Sequence, residues 1–466
     1  MGRYPHASAR KAEREWQRLC DGYLPIRAKG SIWRYSRRQS HDDPSQGWKL
    51  HVSATILSAC SILRSIAPYL KQRNISFKAP KSLAELGKLN AGIFYGFSQV
   101  GKFVTVYPQS AEAAVAIASD LDTLTAKFAA PMVPYDNALR DGSSVYYRYG
   151  SFSLRRKTTL GKKQVFAIVR PDGKLVPDLR RPGAAVPRWL TDPFQGTRSR
   201  AALELATPLE TDYADYEALG QRGRGGVYKA RDVTAVPARP CVIKEGRRHG
   251  ETDSLGRDGF FQIKREAQFL RSTGIAALPR VMRTFRANGC YYLVMERLFG
   301  RSLQQALASR ERMSTRRILE YCGEMAGIVA DIHAAGWAWG DCKPANFLLQ
   351  KGRKLRALDF EGACRLHKAD PLWWRTPGYS PPKWQRKPGD LEAADLYALG
   401  TSIMQVIGRR KSPMNPVATF KRETRKRNLP AHFAKMIRSL RNPKAETRPS
   451  ARTTQRVLEE LLRNSS

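Results

Sequence analysis

Four polar residues in the carboxyl-terminal half have the types and spacing that phosphoryl transfer requires. Asp341, Lys343 and Asn346 precede a short apolar run, and Asp359 stands at the end of the next apolar run. The pattern predicts a loop that leads into a β-hairpin, with polar side chains gathered at one end. There an Asp can orient the attacking hydroxyl, a Lys can offset phosphoryl charge, and an Asn and a second Asp can hold a metal. Taken alone, Asp-x-Lys-x-x-Asn also fits an ordinary polar loop between strands.

Residues 337–361, which carry this set, resemble the catalytic loop and metal-binding motif of the protein-kinase fold. The resemblance implies that Asp341 is the catalytic base and that Lys343 contacts the transferred phosphate. It also implies that Asn346 and Asp359 are the Mg²⁺ ligands.

Motifs upstream follow the order of the nucleotide-binding lobe of a kinase. A glycine-rich turn between two predicted strands lets backbone N–H groups approach phosphates, although Arg222 stands where kinases usually have the middle glycine. The resemblance implies that Lys244 pairs with the α- and β-phosphates and that Glu266 is its ion-pair partner. The nucleotide-binding residues that it implies are Gly220, Gly225, Val227, Lys244, Glu266 and Glu296, with ATP or another nucleoside triphosphate and Mg²⁺ as cofactors.

A second set of polar residues lies on or beside predicted strands in the amino-terminal half, and its members are Lys49, His51, Lys78, Arg140 and Arg148. β-Elimination of phosphate from a phosphorylated Ser or Thr requires a base for the α-proton, an acid for the departing phosphate and fixed cations for its charge. An isolated Lys-x-His is more often a solvent-facing strand, so this set alone does not decide the function.

Three segments, residues 47–53, 101–108 and 145–150, resemble the phosphoserine/phosphothreonine lyase domain of class III and IV lanthipeptide synthetases. The resemblance implies His51 as the general acid and Lys78 as the general base of the elimination. Other residues that match are the phosphate-binding cations Lys49, Arg140 and Arg148, together with Lys102 and Tyr107, to which no role is assigned.

The kinase-like half departs from typical kinases around its metal-binding motif. Glu361 replaces the glycine of D-F-G, as is common in the kinases of these synthetases. Gly340 replaces the arginine that pairs with a phosphorylated activation loop. We therefore expect a constitutively active kinase whose rate survives replacement of Thr376 and Ser380 by Ala.

The predicted architecture is α+β. A phosphothreonine-lyase-like α+β domain is followed by a bilobal protein-kinase-like domain. The predicted boundaries are a basic amino-terminal segment over residues 1–45, the lyase-like domain over 46–200 and the kinase-like domain over 201–466. Within these, residues 151–205 are interpreted as transitional, with one predicted strand over 162–169. The Pro-rich segments 176–182 and 186–194 resemble the linker between the two domains of the synthetases. The synthetases normally continue into a cyclase, which this chain is expected to lack.

Composition restricts the classes of protein that fit. The 466 residues are 42% hydrophobic, which excludes a disordered chain, and the seven cysteines are too scattered for a disulfide framework or a zinc site. Neither a membrane-spanning run nor a secretory signal is seen, so we expect a cytoplasmic protein without a membrane partner. A net charge of +40 predicts attraction to a polyanion, although solvated basic faces would also account for it.

Together these features predict a bifunctional dehydratase. It would phosphorylate Ser or Thr in a precursor peptide and then eliminate phosphate, leaving dehydroalanine or dehydrobutyrine. The positive charge would suit a peptide with an acidic leader. Two alternatives stay open: an effector-type kinase and phosphothreonine lyase acting on a folded host protein, and a non-catalytic basic module. A nucleic-acid partner is not favoured, but the sequence does not exclude one.

Overall fold

The computed structural model describes most of the chain in two α+β parts, which agree with the predicted fold class. The described residues are 6–152, 156–197, 207–309, 313–350, 352, 354–367, 376–382, 388–409, 413 and 416–464.

The amino-terminal domain is built on a seven-stranded antiparallel sheet with the strand order β1-β2-β4-β5-β3-β7-β6. Its strands are β1 (Ile26–Arg27), β2 (Trp33–Tyr35), β3 (Gln46–Val52), β4 (Ser76–Pro80), β5 (Val104–Tyr107), β6 (Asn137–Ala138) and β7 (Val145–Ser151). Its helices are α1 (His6–Tyr23), α2 (Ala59–Gln72), α3 (Leu83–Ala91) and α4 (Ala111–Thr125). Serine side chains cap α3 and α4, as the helix N-terminus favours.

The predicted boundary at residue 46 is wrong. Helix α1 packs on α2, and β1 and β2 extend the sheet. Trp16 is fully buried in the same core as Leu50, and its ring centroid lies 5.5 Å from that of Phe103. Burial of one tryptophan removes a large apolar surface from water, so the described part of residues 1–45 belongs to the domain. The sequence predicts a helix over residues 8–20, but not that this helix packs into the domain.

Three more strands follow within the predicted linker. Strands β8 (Lys157–Leu160), β9 (Lys163–Val169) and β10 (Leu175–Pro177) form a separate antiparallel sheet. The chain after β10 returns to the seven-stranded sheet, where Phe194 is fully buried and stacks on Tyr147 at 3.9 Å between ring centroids. This stretch therefore packs as part of the amino-terminal domain.

The first lobe of the carboxyl-terminal part is a five-stranded antiparallel sheet with the order β11-β12-β13-β15-β14. Its strands are β11 (Tyr213–Arg222), β12 (Gly225–Asp232), β13 (Arg239–Arg247), β14 (Val281–Ala287) and β15 (Cys290–Glu296), and its helices are α5 (Pro208–Thr211) and α6 (Gly259–Thr273). Helix α6 packs on β13 and β15.

The second lobe is mainly helical. Its helices are α7 (Leu303–Ala308), α8 (Thr315–Ala334), α9 (Pro388–Ile407), α10 (Pro416–Lys426), α11 (Ala431–Ser439) and α12 (Ala451–Arg463). Short strands that frame the polar loop are β16 (Arg301–Ser302), β17 (Trp337–Ala338), β18 (Phe347–Leu349), β19 (Leu355–Ala357) and β20 (Cys364–Arg365). Across the described ranges, we find no helix with both the length and the apolar character that crossing a bilayer would need.

Candidate active sites

The polar loop between β17 and β18 is fixed from beneath by helix α9. Asp395 is almost completely buried and accepts hydrogen bonds from the backbone N–H groups of Trp339, at 2.6 Å, and Gly340, at 2.8 Å. A buried carboxylate with two such donors is well satisfied and holds the loop in one conformation.

Asp341 lies at the centre of this loop, with its side chain 4% exposed. Its Oδ2 atom accepts from Lys343 Nζ at 2.5 Å and from Asn346 Nδ2 at 2.9 Å. Its Oδ1 atom accepts from Thr376 Oγ1 at 2.7 Å. Burial raises the pKa of Asp341, and Lys343 opposes that rise. A carboxylate with a raised pKa is a stronger proton acceptor, which suits a general base.

Lys244 on β13 is the centre of a second cluster. Its Nζ atom donates to both carboxylate oxygens of Glu266 at 2.9 Å and to Asp359 Oδ1 at 3.0 Å, and it lies 3.5 Å from Glu361 Oε1. Burial opposes the charged form of this lysine, but the carboxylates, led by Asp359, raise its pKa above the usual value. Asp359 has a φ of +67°, a conformation that non-glycine residues rarely adopt.

A cleft of about 580 Å³ between the lobes contains the predicted nucleotide-binding residues, apart from Glu266, in its lining. At Gly225 a side chain is excluded, because a Cβ atom there would lie 1.7 Å from the carbonyl oxygen of Glu245. Asn346 and Asp359 face this cleft with oxygen donors of the kind that Mg²⁺ prefers, so the residues fit a metal-bound nucleotide. The Glu296 carboxylate instead accepts from Arg356 and from the Arg280 backbone N–H, and the Glu296 N–H donates to the Arg280 carbonyl oxygen at 3.0 Å.

The amino-terminal candidates form a row across the seven-stranded sheet. His51 on β3 pairs with Thr105 on β5, and Thr105 pairs with Lys78 on β4. Residues paired across antiparallel strands share a face, so the His51 and Lys78 side chains lie on one face, with Cα atoms roughly 10 Å apart. Lys49, two residues before His51, lies on that face opposite Arg148 on β7.

The cations of this face surround two buried carboxylates. Asp136 Oδ2 lies 2.5 Å from His51 Nδ1, and its Oδ1 accepts from Lys102 Nζ at 2.9 Å. Arg148 donates to Asp178. With Lys102 and Arg148, the buried or half-buried Lys49, Lys78 and Arg180 make five basic side chains against two carboxylates. Burial lowers the pKa of Lys49 and of Lys78, so the arginines and Lys102 are the main cations. This part of the domain therefore has surplus positive charge, which suits a phosphate dianion.

Burial shifts the protonation of the acid and base candidates. It lowers the pKa of Lys78 to about 7, with help from Arg180 and Lys102, so a large share of this lysine is neutral near pH 7. Burial also lowers the pKa of His51 to about 3, although Asp136 opposes that shift. A neutral lysine is the form that a general base requires.

Arg140 is not part of the cluster. Its side chain is 48% exposed and its Nε atom donates to Asp122 at 2.6 Å. Arg140, which lies just before β7, was predicted to bind phosphate. The turn at that point directs its side chain toward α4 instead. Arg180 supplies the cation that the sequence assigned to Arg140.

Family comparisons match both parts of the chain. Residues 213–464, more than half of the chain, match the protein kinase domain, and residues 14–205 match the RamC N-terminal domain. The chain belongs to the protein kinase family. Its kinase domain is joined to a synthetase-type amino-terminal domain, which confirms the predicted resemblance to class III and IV lanthipeptide synthetases.

Three curated relatives match over different lengths. The probable SapB synthase of Streptomyces coelicolor is 30% identical over 413 residues, which cover 85% of this chain and 44% of that protein. Serine/threonine-protein kinase B of Synechocystis sp. is 28% identical over 211 residues, covering 41% of this chain and 36% of the relative. Serine/threonine-protein kinase PknG of Mycolicibacterium smegmatis is 27% identical over 186 residues, which cover 39% of this chain and 23% of that protein. The chain spans less than half the length of each relative.

Sequence reasoning missed three residues of the amino-terminal site: Asp136, Asp178 and Arg180. Asp136 follows an irregular stretch with no periodic pattern, and the other two lie in the stretch interpreted as a linker. Only one feature of the sequence could have indicated these residues: they are charged and lie in otherwise apolar, Pro-rich segments. This feature is too common to be specific. In the kinase domain, Arg224 was also missed, and its Nη2 atom lies 2.7 Å from Glu361.

The position of Thr376 changes one expectation from the sequence. Since its hydroxyl donates to Asp341, the predicted base, we now expect Thr376→Ala to lower kcat for phosphoryl transfer about three- to tenfold, the cost of one hydrogen bond. Steady-state transfer from ATP to a Ser-containing peptide measures it. Thr376→Ser keeps the donor and should stay near the wild-type rate, whereas an unchanged rate in Thr376→Ala would contradict the assignment. Tolerance of Ser380→Ala stays a prediction.

Proposed function

We propose that the chain dehydrates Ser or Thr residues of a peptide in two steps. The kinase domain phosphorylates the side-chain hydroxyl, and the amino-terminal domain then eliminates the phosphate. The observation that carries the second step is the shared sheet face of His51 and Lys78 within a group of cations. The relative named SapB synthase supports a peptide substrate.

In the first step, Asp341 accepts the proton of the substrate hydroxyl as its oxygen attacks phosphorus. Lys343 and Asn346 hold the Asp341 carboxylate in place. A nucleoside triphosphate with Mg²⁺, held by Lys244, Asn346 and Asp359, would supply the phosphoryl group and neutralise its charge. Such a reaction belongs in the cytoplasm, where these nucleotides are made.

In the second step, neutral Lys78 removes the α-proton of the phosphorylated residue. The electron pair of that C–H bond forms the Cα=Cβ double bond as the Cβ–O bond breaks and phosphate leaves with the bonding pair. His51 donates a proton to the departing phosphate oxygen. The arriving dianion favours the imidazolium form of His51, and Asp136 on Nδ1 directs Nε2 toward the substrate.

The proposed peptide carries an acidic leader region. A net charge of +40 is far more than the two catalytic sites use, and it would attract an acidic segment over a long range.

Mass spectrometry of a candidate precursor peptide, incubated with the protein, ATP and Mg²⁺, tests the two-step reaction. The wild type should give a net loss of one water for each modified residue. His51→Ala and Lys78→Ala should accumulate phosphopeptide, because only elimination is blocked, and Asp341→Asn should leave the peptide unmodified. Arg140→Ala is the matched control and should behave as the wild type. Complete dehydration by Lys78→Ala would refute the assignment of the base.

The pH dependence of elimination tests the environment of Lys78. With a chemically phosphorylated peptide, kcat/KM should rise with pH along its acidic limb, with an inflection near the Lys78 pKa of about 7. Since Arg180 helps to lower that pKa, Arg180→Ala should move the inflection upward as well as weaken binding. Exposed Arg140 exerts no such influence, so Arg140→Ala should leave the inflection unchanged. An inflection unmoved by loss of Arg180 argues against Lys78 as the base.

Salt dependence tests the acidic leader. The affinity for a peptide with an acidic amino-terminal region, measured by fluorescence anisotropy, should fall steeply as salt rises. A control peptide with Asn and Gln in place of the acids should bind more weakly and lose the salt dependence. Equal binding of both peptides would contradict the proposal.

A further inference from the structure

The tip of the kinase glycine-rich loop, residues 222–224, is held by the amino-terminal domain. The backbone N–H of Gly223 donates to the carbonyl oxygen of Ala91, the last residue of α3, at 3.0 Å. The approach is so close that a Cβ atom on Gly223 would lie 1.6 Å from the carbonyl oxygen of Asn90. A side chain at this position would push the domains apart.

Arg247 at the end of β13 strengthens the same junction. Its guanidinium carbon lies 5.0 Å from the centre of the Phe97 ring, a cation–π contact between the two domains. The same guanidinium donates to the carbonyl oxygen of Arg222 at 3.2 Å. The backbone N–H of Arg247 donates to the carbonyl oxygen of Arg224 at 2.8 Å. The ring of Phe97 therefore contacts Arg247, which binds the carbonyl oxygens of Arg222 and Arg224 at the loop tip.

The amino-terminal side of the junction is rigid. The Asn90 side chain is buried, donates to the carbonyl oxygen of Ala54 at 2.9 Å and accepts from the N–H of Gly101 at 3.2 Å. The Phe97 ring packs edge-on against Tyr135, with 5.8 Å between ring centroids. A fixed surface of this kind can hold a loop that would otherwise move freely.

The position of the tip matters for the nucleotide. Arg222, Arg224 and Gly225 line the cleft between the lobes, and Arg224 spans it to reach Glu361 beside Lys244. If the tip moved away, these cations and the loop backbone would leave the region where the phosphates bind.

We propose that Phe97, although it belongs to the amino-terminal domain, is a positioning residue for nucleotide binding by the kinase domain. It acts through Arg247 on residues 222–224, together with the backbone contact of Gly223. The inference rests on the proposed function only in that the kinase domain uses a nucleoside triphosphate. It does not depend on elimination or on the identity of the peptide.

The first experiment uses the full chain with Phe97→Ala and measures ATP affinity by calorimetry together with steady-state kinetics. We expect Kd and KM for ATP to rise about three- to tenfold, the range of one cation–π contact, with kcat changed less. The loop binds ground and transition states alike, so its loss weakens binding more than chemistry. Elimination of phosphate from a chemically phosphorylated peptide should change less than ATP affinity, because His51 and Lys102 still hold Asp136.

Two matched variants separate positioning from general destabilisation. Phe97→Tyr keeps the aromatic face and should restore ATP affinity to near the wild-type value. Phe94, three residues earlier, is 52% exposed, so Phe94→Ala should bind ATP as the wild type does. Failure of Phe97→Tyr to restore binding, or an equal loss in Phe94→Ala, would overturn the proposal.

A double-mutant cycle tests the path through Arg247. If the contact carries the effect, Phe97→Ala should add little to the loss of ATP affinity already caused by Arg247→Ala. Fully additive losses, or a Phe97→Ala protein that binds ATP within twofold of the wild type, would refute the inference. Gly223→Ala, which forces the junction apart from the kinase side, should raise Kd at least as much as Phe97→Ala.

The outcomes also separate this inference from the proposed function. A wild-type protein that binds ATP but does not dehydrate a peptide would contradict the proposed function and leave the Phe97 comparison decisive. A wild-type protein that does not bind ATP would refute both.

Discussion

Charge that is buried must be balanced by partners a few ångströms away, and this constraint shapes both sites of the chain. In the kinase domain, one ammonium, that of Lys244, meets the three carboxylates of Glu266, Asp359 and Glu361. On the amino-terminal sheet, three lysines and two arginines surround two carboxylates. The first site has surplus negative charge, which suits a metal-bound nucleotide, and the second has surplus positive charge, which suits a phosphate dianion. Each surplus matches the charge of the ligand proposed for its site.

The regular parts of both sites could be predicted from the sequence. The side chains of a strand alternate between faces, so Lys49 and His51 had to share one, and the register then brought Lys78 to it through Thr105. In the kinase domain the predicted pairing of Lys244 with Glu266 appears as two hydrogen bonds of 2.9 Å. The shared face of Lys49 and His51 follows from strand periodicity, whereas Lys78 and the pairing of Lys244 with Glu266 were expected from the family resemblance.

The irregular parts could not be predicted, because loop geometry depends on tertiary packing. Arg140 and Arg180 show this most clearly. Arg140 adjoins a strand of the site yet points to Asp122, whereas Arg180 lies in a Pro-rich stretch and is half-buried beside Arg148 and Asp178. A helix over residues 8–20 was predicted, but its packing was not, because the residues that bury Trp16 and Cys20 lie far away in the chain. Partners far apart in the chain leave no local pattern.

One short segment brings the two sites together. Tyr135 has a φ of +68°, a strained conformation for a bulky residue that persists only where the surroundings impose it, at a cost of about 1–3 kcal/mol. On one side it packs against Phe97, which contacts the kinase domain through Arg247. Its neighbour Asp136 holds His51 and Lys102 of the proposed elimination site. A displacement of this segment would therefore disturb both His51 and the glycine-rich loop of the kinase domain. The two reactions proposed for these sites would then depend on one junction, which gives a physical reason for the two domains to be joined in one chain.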